Sequence, residues 1–205
     1  MRPLLQSPWA KPVLGVLCGL PFVYLVAAIV LQRLGANPAE ALIRASGDWT
    51  LRALCLVLAV TPLRILTRTP ALARFRRMLG LFVYFYACCH LLAYAGFDMG
   101  LDASDIAADV LKRPFIFVGM AAWLCLTLLA ATSFNRAIRW LGPQRWRALH
   151  RCVYAVAGLA VLHFYWMRAG KHNFAEVFVY AAILASLLGW RVWHAAQARR
   201  SQVAA

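Results

Sequence analysis

Acidic residues are scarce in this chain, and the signatures of a soluble domain are missing. Seven Asp and Glu stand against 22 Lys and Arg among 205 residues. No G-x-G-x-x-G unit and no strand–helix alternation occurs, which excludes a fused nicotinamide- or flavin-dinucleotide domain. There is no C-x-x-C pair and no C-x-x-C-H site, so neither zinc nor covalently attached haem is indicated. Apolar residues do not alternate in ten-residue blocks, which argues against barrel strands. Internal repeats and low-complexity tracts are absent. The longest connections between apolar runs, about eighteen to twenty residues, leave no room for a soluble domain.

What the chain has is hydrocarbon. Hydrophobic residues make up 63% of it, against about 45–50% in soluble domains, and the mean hydropathy is +0.67. They fall into six runs of membrane-spanning length: residues 12–31, 50–65, 79–97, 115–132, 152–167 and 174–193. The second and fifth are short and can extend a turn into their flanks. The first follows Arg2 and Lys11 like a signal peptide, but its length and the runs behind it predict a retained helix. The expected fold is all-α: a polytopic membrane protein with one six-helix transmembrane domain over residues 1–205.

The charges alternate from one connection to the next. Arg2, Lys11, Arg64, Arg68, Arg74, Arg76 and Arg77 flank the first three runs on one side. Arg136, Arg139, Arg145, Arg147, Arg151, Arg191, Arg199 and Arg200 belong to the same side. All seven acids (Glu40, Asp48, Asp98, Asp102, Asp105, Asp109, Glu176) lie in or beside the other connections. There they offset Arg33, Arg44, Arg52, Lys112, Arg113, Arg168 and Lys171. The formal +15 therefore gathers on one face. The positive-inside rule assigns that face, and both termini, to the cytoplasm. A pI near 10.5 also invites a nucleic-acid reading. Arginines that flank membrane spans answer it: they meet anionic lipid headgroups and set topology. The expected partner is membrane lipid, with no nucleic acid. The six cysteines (Cys18, Cys55, Cys88, Cys89, Cys125, Cys152) lie in or at the ends of the runs, where packing is their expected role.

Two histidines sit inside these runs, His90 in the third and His163 in the fifth. An ionisable side chain in hydrocarbon is costly and is kept mainly where it faces a bundle interior and has a task. Imidazole is a common axial ligand of haem iron. Both runs lead outward. His90 lies about 17 Å and His163 about 16 Å from the inner ends, so the two share one depth in the outer half of the bilayer. That geometry fits a haem held by both, with Tyr84, Phe85, Phe164 and Tyr165 as candidate walls. The plain alternative is a hydrogen bond across helices by each ring.

His150 stands at the inner mouth of the fifth run, about 20 Å below His163 and turned some 140° from it on an ideal helix. The equivalent depth on the third run carries Arg77 instead of histidine. A second haem held by facing histidines thus lacks its obvious partner. His150 is a candidate for a second haem with another ligand, for a flavin or quinone border, or for an ordinary interfacial residue. His172 and His194 are expected to be solvated.

The stretches RRMLGLFVYFYACCHLLAY (76–94), LGPQRWRALHRCVYAVAGLAVLHFYW (141–166) and TPLR (61–64) resemble the MsrQ family, formerly called YedZ. That family supplies haem-binding membrane subunits to bacterial methionine sulfoxide reductase systems, and the resemblance covers nearly the whole chain. His90, His150 and His163 match the family histidines, and Arg77 falls where the family has arginine. The wider ferric reductase-like relatives often carry a second facing histidine pair, from which this chain departs at Arg77. The resemblance implies a multi-pass protein of the bacterial inner membrane that carries haem b and is associated with FMN. It further implies electrons from the quinone pool or a flavin, delivered to a periplasmic molybdenum-containing MsrP-like subunit that repairs oxidised methionine. Such a chain is an electron-transfer subunit, with no centre of its own for sulfoxide reduction. Two other readings stand beside it. One is a cytochrome b anchor of another oxidoreductase or a ferric reductase; the other is a haem-free transporter.

The charge asymmetry makes a topological prediction. A reporter fused after Ala205 should be active only in the cytoplasm, and one inserted near Asp102 only in the periplasm. The reverse pattern at either site would overturn the count of spans.

Overall fold

The computed structural model describes residues 5–170 and 172–203; Arg2, Lys171 and Ala205 lie outside the described residues. Among the described residues, six helices are long and apolar enough to cross a membrane. They are α1 (Ala10–Val30), α2 (Pro38–Leu66), α3 (Arg76–Ala93), α5 (Pro114–Ala131), α7 (Val153–Ala169) and α8 (Ala175–Val203). A 3-10 turn (Pro70–Phe75) leads into α3, and a π-helical turn (Tyr94–Asp98) ends it.

Helix α2 extends well past its apolar run, with capping chemistry to support it. The second run begins at Thr50 by hydropathy, yet α2 begins at Pro38. The Asn37 side chain accepts the Glu40 amide at 3.1 Å, and Pro38 fills a position whose N–H needs no partner. An i,i+4 pair between Glu40 and Arg44 supports the polar first turns. Glu40 and Asp48 therefore ride on a helix instead of a connection.

Two connections fold as well. The acid-bearing one between α3 and α5 holds α4 (Ala103–Lys112), capped by Asp102, which accepts the Ser104 and Asp105 amides at 2.8 and 3.1 Å. Tyr94 ties α4 to α3 by donating to Asp109 Oδ2 at 2.5 Å. The arginine-rich one between α5 and α7 holds α6 (Asn135–His150), which is broken at Gly142, where φ is +74° and only glycine sits without strain.

Packing pairs the spans. α2 packs most extensively on α3, and α5 on α7; α8 lies against α2 and α7, and α3 joins the pairs by touching α5. Leu54, Val83 and Val156, each no more than 2% exposed, meet at the centre with Leu58, Leu126 and Leu184 around them. Helix α1 stands at the edge. It buries only Leu25 and Ala28 among its residues and turns Val16, Leu17, Val23 and Tyr24 outward. Lipid tails are as apolar as those side chains, so little holds α1 by hydrophobic force. Its polar tie is Tyr86 of α3, whose hydroxyl donates to the Cys18 carbonyl at 2.6 Å, beside an edge-on Phe22–Phe85 contact.

Removing that donor isolates its worth. Tyr86→Phe should lower stability by about 1 kcal/mol, read as a shifted midpoint in a denaturing-detergent titration, and speed proteolysis of the first helix. An unshifted midpoint would mean that α1 is held by apolar contact alone.

Candidate functional site

His90 of α3 and His163 of α7 face each other across the bundle. Their ring centres are 6.1 Å apart and their planes stand at 83°. Both line a cavity of about 480 Å³ enclosed by α2, α3, α5 and α7. Each ring is held through Nδ1: His90 donates to the Ile43 carbonyl on α2 at 2.9 Å, and His163 to the Phe115 carbonyl on α5 at 2.6 Å. A carbonyl only accepts, so Nδ1 carries the proton and Nε2 keeps its lone pair.

The same local device serves both rings. Each accepting carbonyl stands one helical turn before a glycine, Ile43 before Gly47 and Phe115 before Gly119. A Cβ at Gly47 would meet His90 Nδ1 and Cε1 at 3.2 Å. One at Gly119 would meet His163 at 2.8 and 2.9 Å, closer than real side chains approach. Bare helix backbone is what lets each imidazole reach a carbonyl of the neighbouring helix. Neither glycine was singled out from the sequence; the signal was a lone glycine inside an otherwise bulky helix.

The donor set limits the chemistry. Among the described residues no three His, Cys, Asp or Glu gather as a metal site. Two neutral imidazoles are too few for a bare ion such as zinc, which takes four ligands. They suit an iron whose remaining positions a macrocycle fills. Two metal–nitrogen bonds of about 2 Å each, plus the half-widths of the rings, place ring centres about 6 Å apart. The observed separation matches, so the residues present fit haem.

The cavity has an apolar end and a polar mouth. Leu54, Val83 and Leu126 close the inner end; Asn37, Arg44, Asp98, Arg113 and Arg168 stand at the other. Tyr94, Phe115, Trp123 and Phe164 supply its aromatic wall. Of the four aromatics expected there, only Phe164 takes part. Tyr84 stacks behind Trp123, Phe85 turns to Phe22, and Tyr165 stacks on Phe174. At the mouth Arg113 grips Asp109, which holds that carboxyl below the usual carboxylate range. Arg168, 8% exposed, donates Nη2 to Glu176 at 2.6 Å, while its Nε is buried without a partner.

A second cavity of about 390 Å³ opens towards the arginine-rich end. His150 lines it, stacked on Trp146 with ring centres 4.0 Å apart. The Thr132 hydroxyl gives its proton to the Leu128 carbonyl at 2.8 Å, so it accepts from His150 Nε2 at 3.1 Å. Arg76, Arg147, Arg151 and Arg191 line the same space. Arg77 does not: it is exposed and donates to Asn135 Oδ1 at 2.9 Å. Helical spacing explains the exchange, since adjacent residues point about 100° apart and Arg76 takes the inward direction. Leu54, Val83 and Leu126 line both cavities and form the wall between them. Elsewhere, His172 is exposed, and His194 lies flat on Trp190 with centres 5.0 Å apart.

Comparison with known proteins agrees with this architecture. The family model described as "Ferric reductase like transmembrane component" matches residues 46–161, taking in Gly47, His90, Gly119 and His150 and ending just short of His163. A protein of Polaromonas naphthalenivorans named "Protein-methionine-sulfoxide reductase heme-binding subunit MsrQ" is 66% identical over 96% of this chain and 90% of its own. Proteins of the same name are 52% identical in Ralstonia nicotianae, over 84% of this chain and 80% of theirs. In Bordetella pertussis the figures are 50%, 89% and 88%. No solved structure matches the chain.

The glycine device orders two substitutions. Gly119→Ala pushes His163 off its carbonyl and should cost about 1–3 kcal/mol; Gly47→Ala needs a smaller shift and should cost less. Unfolding midpoints of the two variants in detergent measure this. Equal midpoints would show that side-chain space at these glycines does not govern the rings.

Proposed function

The chain belongs to the MsrQ family within the ferric reductase-like transmembrane group, and from that premise we propose that it is a haem b electron-transfer subunit of a methionine sulfoxide reductase system. The facing pair His90 and His163, each with Nδ1 on a backbone carbonyl and Nε2 free, carries this reading. Both would hold the iron of one haem b. Bound there, haem b supplies one-electron transfer between ferric and ferrous iron. The Ile43 and Phe115 carbonyls fix the tautomer and orientation of the rings and raise their basicity as ligands. The apolar end of the cavity keeps water from the iron side, and the polar mouth opens towards the acid-bearing end of the bundle.

In this reading the arginine-rich end faces the cytoplasm of a bacterial inner membrane, and electrons run from that end outward. The donor is the quinone pool or a flavin, and the acceptor is a periplasmic, molybdenum-containing MsrP-like subunit that repairs oxidised proteins. His150 and its surrounding guanidiniums border electron entry. Four arginines with no carboxylate in the cavity lining suit an anionic carrier: the phosphate of FMN, a second haem, or a reduced quinone headgroup. Arg77, about 100° round the helix from Arg76, supports that end through Asn135.

Absorption spectroscopy and co-purification test the proposal together. The purified protein should show a b-type haem signal in a reduced-minus-oxidised spectrum. His90→Ala or His163→Ala should abolish the signal of this site without impairing membrane insertion, whereas His172→Ala and His194→Ala should leave it unchanged. His150→Ala should keep the outer haem but slow its reduction by quinol. The tagged chain should retain a periplasmic molybdoenzyme. Full haem content in both His90→Ala and His163→Ala would sink the ligand assignment; a haem protein that never retains such an enzyme would favour a free-standing ferric reductase.

A further inference from the structure

Arg168 is a buried cation with an unused donor at the mouth of the outer cavity. It sits in the last turn of α7, with its guanidinium carbon 5.3 Å from the Phe164 ring centre and Nη2 on Glu176. Its Nε is buried and has no acceptor. The other arginines of this mouth differ. Arg113 spends both Nε and Nη2 on Asp109, and Arg44 is paired with Glu40. A buried N–H without an acceptor is destabilising, and an acceptor arriving in the cavity would relieve it.

The cavity itself describes that acceptor. One end is Leu54, Val83 and Leu126, and the other is polar. A ligand that fills it must be apolar along one edge and polar along the opposite edge. An anionic edge belongs at the mouth, since burying it among the leucines would be strongly unfavourable. Porphyrins of the haem b type carry both their carboxylates on one edge.

We propose that Arg168 binds a propionate carboxylate of the haem in the outer cavity and thereby sets which edge of the macrocycle faces outward; this rests on haem b occupying that cavity. Arg168 is a positioning residue and leaves ligation to the histidines. Guanidinium suits the task because its charge is permanent and its N–H groups form a fixed fork. The acidic edge then lies at the mouth, level with Arg113 and Asn37, and the edge without carboxylates rests on the inner wall.

Reconstitution of the haem-free protein in detergent tests this, with haem b and its dimethyl ester as probes. The ester has the same ring and iron but no carboxylate charge. Arg168→Gln should weaken haem b binding about tenfold, the usual worth of a charge-assisted hydrogen bond, and leave ester binding unchanged. The ratio of the two affinities is therefore the readout, and a merely structural role would not move it. Should Arg168→Gln fail to insert, Arg168→Lys carries the same comparison, with a smaller loss of the same sign. Equal weakening of both probes, or an unchanged ratio, would overturn the assignment. Wild-type protein that takes up neither probe would instead overturn the haem reading beneath it.

Discussion

A hydrogen bond from an imidazole Nδ1 to a helix carbonyl, made twice, organises this bundle. A carbonyl has two lone pairs, and within a helix only one is used by the ladder. The second is usually hidden by the side chain a turn further on. Gly47 and Gly119 uncover it, so α3 docks on α2 and α7 on α5 through the residues that also face the cavity. In lipid, where apolar side chains gain little by leaving their surroundings, close backbone approach and such polar contacts decide which helices pair. The pairs that pack most extensively are the two that share the device. Pairing and site geometry thus have one cause.

The two ends of the molecule handle charge differently. At the acid-bearing end arginines meet acids: Arg44 with Glu40, Arg113 with Asp109, Arg168 with Glu176. At the arginine-rich end the described partners are neutral: Arg76 donates to Thr61, Arg77 to Asn135 and Arg191 to the Leu58 carbonyl. Neutral partners fix a guanidinium without cancelling its charge. The lining of the His150 cavity is therefore net positive, whereas the mouth of the other cavity is nearly balanced.

Much of this was readable in the residues. Hydropathy placed the six spans, and helical rise brought His90 and His163 to one level. What it could not supply was direction around each helix. Depth alone equated Arg77 with His150, but direction brings Arg76 into the cavity. Proximity in sequence suggested Tyr84, Phe85 and Tyr165 as walls, whereas Tyr94, Phe115 and Trp123 line the space from elements whose contacts are set by tertiary packing. The polar first turns of α2, and the helices α4 and α6, escaped a reading based on apolar runs. The first turns of α2 and helix α4 rest on caps and i,i+4 pairs, which hydropathy does not weigh; α6 has no side-chain cap and is too polar to register as an apolar run. Gly47 and Gly119 were silent because their use lies in a missing atom.

Among the described residues, Leu54, Val83 and Leu126 alone are common to the linings of the two cavities. Hollows reaching inward from opposite ends of a membrane bundle invite a leak, because water files through any polar gap and protons follow it. Three branched aliphatic side chains, each no more than 6% exposed, offer water no hydrogen-bond partner. An electron needs none to cross a barrier one side chain thick. In the proposed electron-transfer reading this partition discriminates by particle: it insulates against ions and so preserves the proton gradient of the membrane, while staying thin enough for redox traffic.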